Sequence, residues 1–282
     1  MKKQFWIFLT IKDFFKKYLP EKNYSRVKRF IRRLLRPLSP LFYAHDLKNL
    51  ALLHGSDKWG AHYYAQHYEK HFRHLREKRL NILEIGVGGY AEPAHGGASL
   101  RMWKYFFPKS RVYSIDIYDK SALQEKRIKI FKGSQADPSF LTDVYKEIGS
   151  LDIIIDDGSH INEHVITSFK ILFPLLNRGG IYVIEDTQTS YWPQMGGDSE
   201  NLNKPGTIMT FLKGLTDGLN HKEFIRPGYT PTYFDENIVS VHFYHNMVFI
   251  YKGRNDEESN IVKNNTFQKS RKRSDGASPP AQ

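Results

Sequence analysis

Cysteine is absent from the 282 residues of the sequence. Disulfide bonds, thiolate zinc sites and a cysteine nucleophile are therefore excluded, and the absence agrees with a reducing compartment. The sequence also has no apolar run long enough to span a bilayer, since residues 5–9 form only a short one. No small-residue cleavage site follows this run, so a secretory signal is not expected and we predict a cytoplasmic protein.

A basic stripe is lacking in the central part of the chain. The net charge of +12 is concentrated at the ends, because residues 1–39 hold 12 Lys and Arg against two acids. This distribution argues against nucleic acid as a partner. The basic N-terminal extension is predicted to form amphipathic helices. Residues 1–36 could then contact an anionic membrane surface, or dock on the body of the protein or on a partner subunit.

The order of apolar runs and helical segments predicts the fold class. We divide the chain into a basic helical extension (1–40), a globular domain (41–252) and a polar, disordered tail (253–282). Strands and helices alternate in the domain, which predicts an α/β fold with a Rossmann-like, doubly wound and mostly parallel sheet. Residues 238–245 and 247–252 read as a hairpin, so the terminal strand is expected to be antiparallel.

A glycine-rich turn follows the first predicted strand. Gly86 and Gly88 permit a sharp turn and the close approach of a ligand. The spacing formally fits a dinucleotide fingerprint, but the chain does not enter a helix until about Ala98. Glu84 places a carboxylate just before the turn, which suits a cationic ligand end better than a pyrophosphate. NAD remains an alternative ligand.

Four further residues complete the predicted cofactor site. Asp116 ends the second strand, where an acid accepts hydrogen bonds from ribose hydroxyls. Ser134 and Gln135 follow the third strand and are candidates to bind an adenine edge, although a helix cap explains this segment equally well. Ser99, at the start of the helix after the glycine-rich loop, is the fourth candidate.

Acidic residues follow two neighbouring strands of the predicted sheet. Asp156 and Asp157 end the fourth strand, and Glu185 and Asp186 end the fifth, so all four face one crevice. A divalent cation, by default Mg²⁺, would offset their mutual repulsion. We predict Asp157, Glu185 and Asp186 as its ligands, with Asp157 also near the cofactor and Asp156 orienting its neighbours. His160 is a candidate general base. Helix capping or ion pairing is the alternative role for these acids.

A loop rich in aromatic residues and glycine comes after the second acidic pair. Tyr191-Trp192-Pro193 opens it, and residues 194–206 continue it. Long loops at strand ends commonly carry binding residues. We therefore predict a mobile loop that contacts the molecule on which the protein acts, and we call it the acceptor loop.

Six motifs of the domain resemble those of a known family. They are LEIGVGGY, GGASLRMWKYFFP, VYSIDIYDKS, GSQADPSFL, LDIIIDDGSHINEHVI and GGIYVIEDTQTSYWP. They are similar to motifs of the macrolide-sugar O-methyltransferases of the mycinamicin type, and the resemblance extends over about residues 46–251. It implies a class I methyltransferase fold, S-adenosylmethionine as cofactor and Mg²⁺-dependent methylation of a sugar hydroxyl.

The resemblance also implies roles for individual residues. Asp157, Glu185 and Asp186 match the metal-binding acids, His160 matches the catalytic base, and Asp116, Ser134 and Gln135 match cofactor positions. The N-terminus departs from the family pattern. A mycinamicin-type member of the family has a separate folded N-terminal domain, whereas this chain is predicted to have a basic extension there. A homo-oligomer and a small-molecule or glycan acceptor with a free hydroxyl are the expected partners.

The predicted function is therefore Mg²⁺-assisted, S-adenosylmethionine-dependent O-methylation of a sugar, a glycan or a glycosylated natural product. An NAD-dependent oxidoreductase is one alternative. A non-catalytic, membrane-associated scaffold with a Rossmann domain is another. The 2-His-1-carboxylate pattern of an iron hydroxylase is not evident.

Overall fold

The computed structural model describes residues 46–268 and, before them, Pro20, Asn23 and Val27. The predicted helical extension falls outside the described residues except at those three positions. Residues 269–282 of the predicted tail also fall outside them. Among the described residues, no helix is both long enough and apolar enough to cross a bilayer.

Seven strands form one sheet. In chain order they are β1 (Asn81–Ile85), β2 (Arg111–Asp116), β3 (Ile128–Lys132), β4 (Leu151–Asp156), β5 (Leu176–Glu185), β6 (Ile238–Tyr244) and β7 (Met247–Lys252). Their spatial order is β3-β2-β1-β4-β5-β7-β6. β4 is parallel to both β1 and β5, whereas β7 is antiparallel to both β5 and β6. The predicted terminal hairpin is confirmed.

Seven α-helices lie within residues 46–268. They are α1 (Leu47–His54), α2 (Ala65–Phe72), α3 (Ala98–Phe106), α4 (Pro138–Ile148), α5 (Asn162–Leu175), α6 (Ile208–Gly218) and α7 (Tyr233–Asn237). Local sequence explains the ends of α4. The Asp137 side chain accepts hydrogen bonds from the first-turn amides, Pro138 has no amide hydrogen to lose there, and Gly149 ends the helix in the left-handed conformation.

The register of the central strands brings their carboxyl ends together. Ile85 of β1 lies opposite Asp156 of β4, and Asp156 lies opposite Ile184 of β5. The aliphatic run Ile153–Ile155 is fully buried, as expected for a strand covered on both faces. The polar residues that follow β4 and β5 are therefore neighbours at one edge of the sheet.

The described residues divide into two compact units. Unit 1 comprises residues 46–80, 87–114 and 118–132, and unit 2 comprises residues 81–86, 115–117 and 133–268. In unit 1, the buried ring of Trp103 lies 4.7 Å from that of Tyr68 and 6.0 Å from that of Phe72. In unit 2, the ring of Phe169 lies 4.9 Å from that of Tyr182. Each unit thus has an aromatic core of its own.

The C-terminal part of unit 2 corrects one prediction. Two short strands, β8 (Val262–Lys263) and β9 (Thr266–Phe267), pair antiparallel within the segment predicted to be a disordered tail. Val262 is buried, and the Ser259 hydroxyl donates to a carboxylate oxygen of Glu223. The bond between Ser259 and Glu223 joins residues 36 positions apart, so polar composition alone did not reveal it. The prediction of disorder is therefore wrong for residues 253–268.

Candidate active site

Two adjacent acids at the end of β4 lie in different surroundings. Asp156 is the last residue of the strand, and only 1% of its surface is exposed. The backbone amide of Asp157 donates to the Ile85 carbonyl oxygen at 3.0 Å, and 24% of its side chain is exposed. Successive residues of a strand face opposite sides. The alternation therefore directs one carboxylate into the interior and leaves the other accessible to a ligand.

The loop from Asp157 to His160 is closely packed in unit 2. A Cβ atom on Gly86 would lie 2.2 Å from the Asp157 carbonyl oxygen, and one on Gly158 would lie 2.1 Å from the Gln135 Oε1 atom. His160 adopts a φ of 56°, in the left-handed region that residues other than glycine rarely occupy. The backbone of this loop is thus fixed by close contacts on more than one side.

Three side chains of the predicted catalytic cluster converge. The His160 Nε2 atom lies 3.5 Å from Asp186 Oδ2 and 4.0 Å from Asp157 Oδ1. One possible ligand atom from each residue lies within 4.8 Å of the other two. Asp186 follows β5 in the left-handed conformation, with a φ of 55°. The turn after each strand therefore contributes to bringing an acid into this cluster.

The donor chemistry of this cluster fits a divalent cation. Two carboxylates in close proximity repel each other, and a bound cation offsets that repulsion. Mg²⁺ prefers carboxylate oxygen ligands, whereas an imidazole nitrogen is a better ligand for zinc and other transition metals. Asp157 and Asp186 are thus suited to hold Mg²⁺, and His160 can serve a proton-transfer role.

Glu185, the third predicted ligand, lies outside this group of three. It is the last residue of β5, and only 3% of its surface is exposed. Asp186, one residue later, belongs to the group. Asp186 follows the strand in the left-handed conformation, so its side chain leaves the alternating pattern of β5, which accounts for the different environments. The role of Glu185 as a metal ligand stays a prediction.

A buried polar cluster surrounds Asp156. Its Oδ2 atom accepts a hydrogen bond from Ser168 Oγ at 2.5 Å, and its Oδ1 atom accepts one from Gln135 Nε2 at 3.1 Å. The Tyr182 hydroxyl lies 3.5 Å from Oδ2. Burial raises the pKa of Asp156 to about 6, although the hydrogen bonds from Ser168 and Gln135 lower it. Asp156 is thus held by protein groups, as expected for an acid that orients its neighbours.

The predicted cofactor residues of unit 2 differ in their environments. Glu84 is fully buried at the end of β1, and Gly86 has a φ of 96°. Asp116 ends β2 and is partly exposed. The Ser134 hydroxyl accepts a bond from the Ala136 amide, which is a local turn contact. The hydrogen bond within this turn and the capping of α4 by Asp137 both agree with the alternative interpretation, in which the segment forms a helix cap.

Unit 1 contains the other two predicted cofactor residues, Gly88 and Ser99. Gly88 has a φ of 76°, and a Cβ atom there would meet no atom within 4 Å. Ser99 lies in the first turn of α3. The buried Lys120 ammonium donates to the carbonyl oxygens of Glu92 and His95, which fixes the loop between β1 and α3. The long loop predicted after Gly89 is confirmed, because α3 begins only at Ala98.

Asn162 has a role that the sequence did not indicate. Its side-chain amide nitrogen donates to the carbonyl oxygens of Thr189 and Met195 at 3.0 and 2.7 Å. Its Oδ1 atom accepts from the Ile208 amide at 2.6 Å. One buried side chain therefore ties both ends of the predicted acceptor loop to α5. Trp192 remains 42% exposed on that loop. No local pattern reveals bonds that span up to 46 residues.

Comparisons with known proteins agree with this architecture. A solved structure of MycE methyltransferase from the mycinamycin biosynthetic pathway, in complex with Mg and SAH, superposes with a TM-score of 0.74 at 48% identity. The match covers 76% of this chain and 56% of that one. A further structure of MycE contains Mg, SAH and mycinamycin VI, with a TM-score of 0.73 at 48% identity, and covers 76% of this chain and 55% of that one. The fold is therefore that of a class I methyltransferase, as predicted.

Sequence relatives define the family more narrowly. Residues 81–224 match the family described as Rhamnosyl O-methyltransferase/CmcI, and the chain belongs to this family. Mycinamicin VI 2''-O-methyltransferase of Micromonospora griseorubida is 49% identical over 214 residues, which cover 75% of this chain and 54% of the relative. The 8-demethyl-8-alpha-L-rhamnosyl tetracenomycin-C 2'-O-methyltransferase of Streptomyces olivaceus is 48% identical over 216 residues, which cover 76% and 57%. The chain thus spans about half the length of these relatives, and the predicted resemblance is confirmed.

Proposed function

We propose that the protein is an S-adenosylmethionine-dependent, Mg²⁺-assisted O-methyltransferase that acts on a hydroxyl of a sugar or of a glycosylated natural product. The convergence of Asp157, His160 and Asp186 within 4.8 Å carries this proposal. Relatives named as sugar O-methyltransferases, and a neighbour solved with Mg and SAH, support it. The acceptors in those names motivate the substrate class proposed for this chain.

The residues of the cluster have complementary roles in this proposal. Asp157 and Asp186 would hold the cation, with Glu185 as a further predicted ligand. When bound, Mg²⁺ supplies Lewis acidity that lowers the pKa of an acceptor hydroxyl, and S-adenosylmethionine supplies an electrophilic methyl group. His160 Nε2 would accept the hydroxyl proton while the methyl group passes from the sulfonium sulfur to the hydroxyl oxygen. The carbon–sulfur bond would break as the carbon–oxygen bond forms, with S-adenosylhomocysteine as the leaving group.

The oxidoreductase alternative predicts a different ligand. NAD sites place a pyrophosphate at a helix N-terminus directly after the glycine turn. Here α3 begins nine residues after Gly89, which argues against that arrangement. A homo-oligomer, a cytoplasmic location and membrane contact through residues 1–36 stay predictions.

Methyl transfer from labelled S-adenosylmethionine tests the proposal directly. The full chain is incubated with Mg²⁺ and a panel of rhamnosylated and macrolide glycosides, and products are identified by mass spectrometry. We expect addition of one methyl group to a sugar hydroxyl and loss of turnover after EDTA treatment. Full activity in EDTA would remove the metal from the proposal. Binding of NAD but not of SAH in calorimetry would favour the oxidoreductase instead.

A further inference from the structure

We propose that Gln135 is a positioning residue, which fastens the loop of Asp157 and His160 to the buried Asp156 instead of contacting the cofactor. This assignment rests on the proposed function, because that loop contains the residues assigned to the metal and to the proton. The sequence had suggested Gln135 as an adenine contact. The hydrogen bonds of its side-chain amide indicate a positioning role instead.

Both ends of the Gln135 amide bind protein groups. Its Nε2 atom donates to Asp156 Oδ1 at 3.1 Å, and its Oε1 atom accepts from the Ser159 backbone amide at 2.7 Å. The side chain is almost entirely buried, with 7% of the residue exposed. A carboxylate only accepts here and a backbone N–H only donates, so these two partners fix which way the amide faces. Gln135 therefore links the interior to the loop through a defined pair of bonds.

The loop lies directly against this amide. A Cβ atom on Gly158 would approach Gln135 Oε1 to 2.1 Å and Ile85 Cγ2 to 2.8 Å, so only glycine fits without displacing its neighbours. Ser159 makes a second contact, because its hydroxyl lies 3.0 Å from His164 Nδ1. Two partners on different elements therefore hold the residue that precedes His160.

The backbone of His160 explains why this fixation matters. Its φ of 56° is unfavourable for a residue with a side chain, and such conformations persist only when the surroundings over-determine them. Loss of the bond to Ser159 would let the loop relax and move Asp157 and His160 away from Asp186. Groups that orient metal ligands from behind commonly change metal affinity by about 10–100-fold when they are removed.

The variant Gln135→Met tests this role, because methionine has a similar size and forms neither bond. Gln124→Met is the matched control, since the Gln124 Oε1 atom also accepts a backbone amide, that of Ile130, on an exposed side chain. Three quantities are measured on the full chain: the Mn²⁺ affinity by electron paramagnetic resonance, the SAH affinity by calorimetry, and the hydrogen exchange of the Ser159 amide.

We expect Gln135→Met to weaken Mn²⁺ binding by about 10–100-fold and to leave the SAH affinity within about twofold. The Ser159 amide should lose its protection from exchange. Gln124→Met should change none of these. A second variant, Gly158→Ala, displaces the Gln135 amide without removing it and should reproduce the loss of protection and the weaker Mn²⁺ binding. It decides the question if Gln135→Met does not fold.

Two results would overturn the assignment. Weaker SAH binding with unchanged Mn²⁺ affinity in Gln135→Met would make Gln135 a cofactor contact. Unchanged Ser159 exchange in both variants would show that Gln135 does not hold the loop. Failure of the proposed function would be visible in the wild-type protein, which would bind neither Mn²⁺ nor SAH. The exchange of Ser159 would still report on the role of Gln135 in that case.

Discussion

Asp156 and Asp157 are consecutive acids, yet their surroundings have little in common. Asp156 is buried and accepts hydrogen bonds from Ser168 and Gln135. Asp157 is partly exposed and lies close to His160, which also approaches Asp186. The strand directs one carboxylate toward protein donors and the other toward a place where a ligand can bind. Residue type alone therefore does not distinguish a buried acid held by protein donors from an acid that a ligand can reach.

The sharpest test of the accessible side is the variant His160→Asn. Asparagine tolerates the left-handed backbone of this position better than alanine does, so the loop should keep its conformation. We expect the turnover of methyl transfer to fall by about 10²–10⁴-fold, the usual contribution of a general base. The SAH and Mn²⁺ affinities should change little. His245→Asn, at the exposed turn between β6 and β7, is the control. A large loss of Mn²⁺ affinity in His160→Asn would make His160 a metal ligand instead.

The variant Asp157→Asn tests whether the accessible acid holds a cation. Removing one negative ligand should weaken Mn²⁺ binding by more than the roughly 10–100-fold expected for a residue that only orients a metal ligand. Asp186→Asn should have a similar effect, since both carboxylates belong to the same cluster. Asp143→Asn, which removes an exposed acid of α4, is the control. Equal Mn²⁺ affinity in all these variants would show that the cluster is not a metal site.

The variant Asp156→Asn tests the buried side through the pH dependence of stability. Burial raises the pKa of Asp156 from 3.8 to about 6, so the folded protein holds this proton more tightly than the unfolded chain. The resulting stabilisation is complete below pH 3.8 and is lost as the pH rises through 6, a decrease of about 3 kcal/mol. The free energy of unfolding is measured by urea denaturation in the presence of EDTA. We expect it not to show this decrease in the variant. Parallel pH profiles for the two proteins would contradict the assignment.

The smallest effect is expected at Asp137, an acid that caps a helix. It accepts hydrogen bonds from the Ser139 and Phe140 amides at the start of α4. The bond from the Ser139 hydroxyl and the Phe140 amide lower the pKa of this carboxyl. Asp137→Ala should lower the Tm by about 2–4 °C, as loss of a helix cap does in a protein of this size. Methyl transfer should be unchanged. A loss of turnover would show that Asp137, like Asp157, contributes to the reaction.

Local sequence was sufficient for most of the sheet. The alternation of apolar runs and helical segments predicted the mostly parallel sheet, and the hairpin predicted at residues 238–245 and 247–252 is formed by β6 and β7. The acids after β4 and β5 could be placed near each other because carboxyl ends of parallel strands share one edge. The positions of Asp157, His160 and Asp186 at that edge follow from the order of elements along the chain.

Contacts between distant residues needed the tertiary structure. The bonds of Asn162 to both ends of the predicted acceptor loop join residues up to 46 positions apart, and no local pattern predicts them. The short strands β8 and β9 lie in a segment whose polar composition suggested disorder. The partners of Asn162 are fixed only after folding, whereas β8 and β9 form a local hairpin around Asn264 and Asn265, which both have positive φ.

The sequence by itself determined the fold class and the group of acids beside His160, because these depend on periodicity and on the order of strands. It indicated the family through the resemblance of its motifs. Only the tertiary structure decided which acid of the pair Asp156 and Asp157 is buried, and which groups the Gln135 amide binds. The physical reason is that an amide or a carboxylate has the same chemistry in any sequence. Its role is set by the donors, acceptors and solvent that the folded chain places around it.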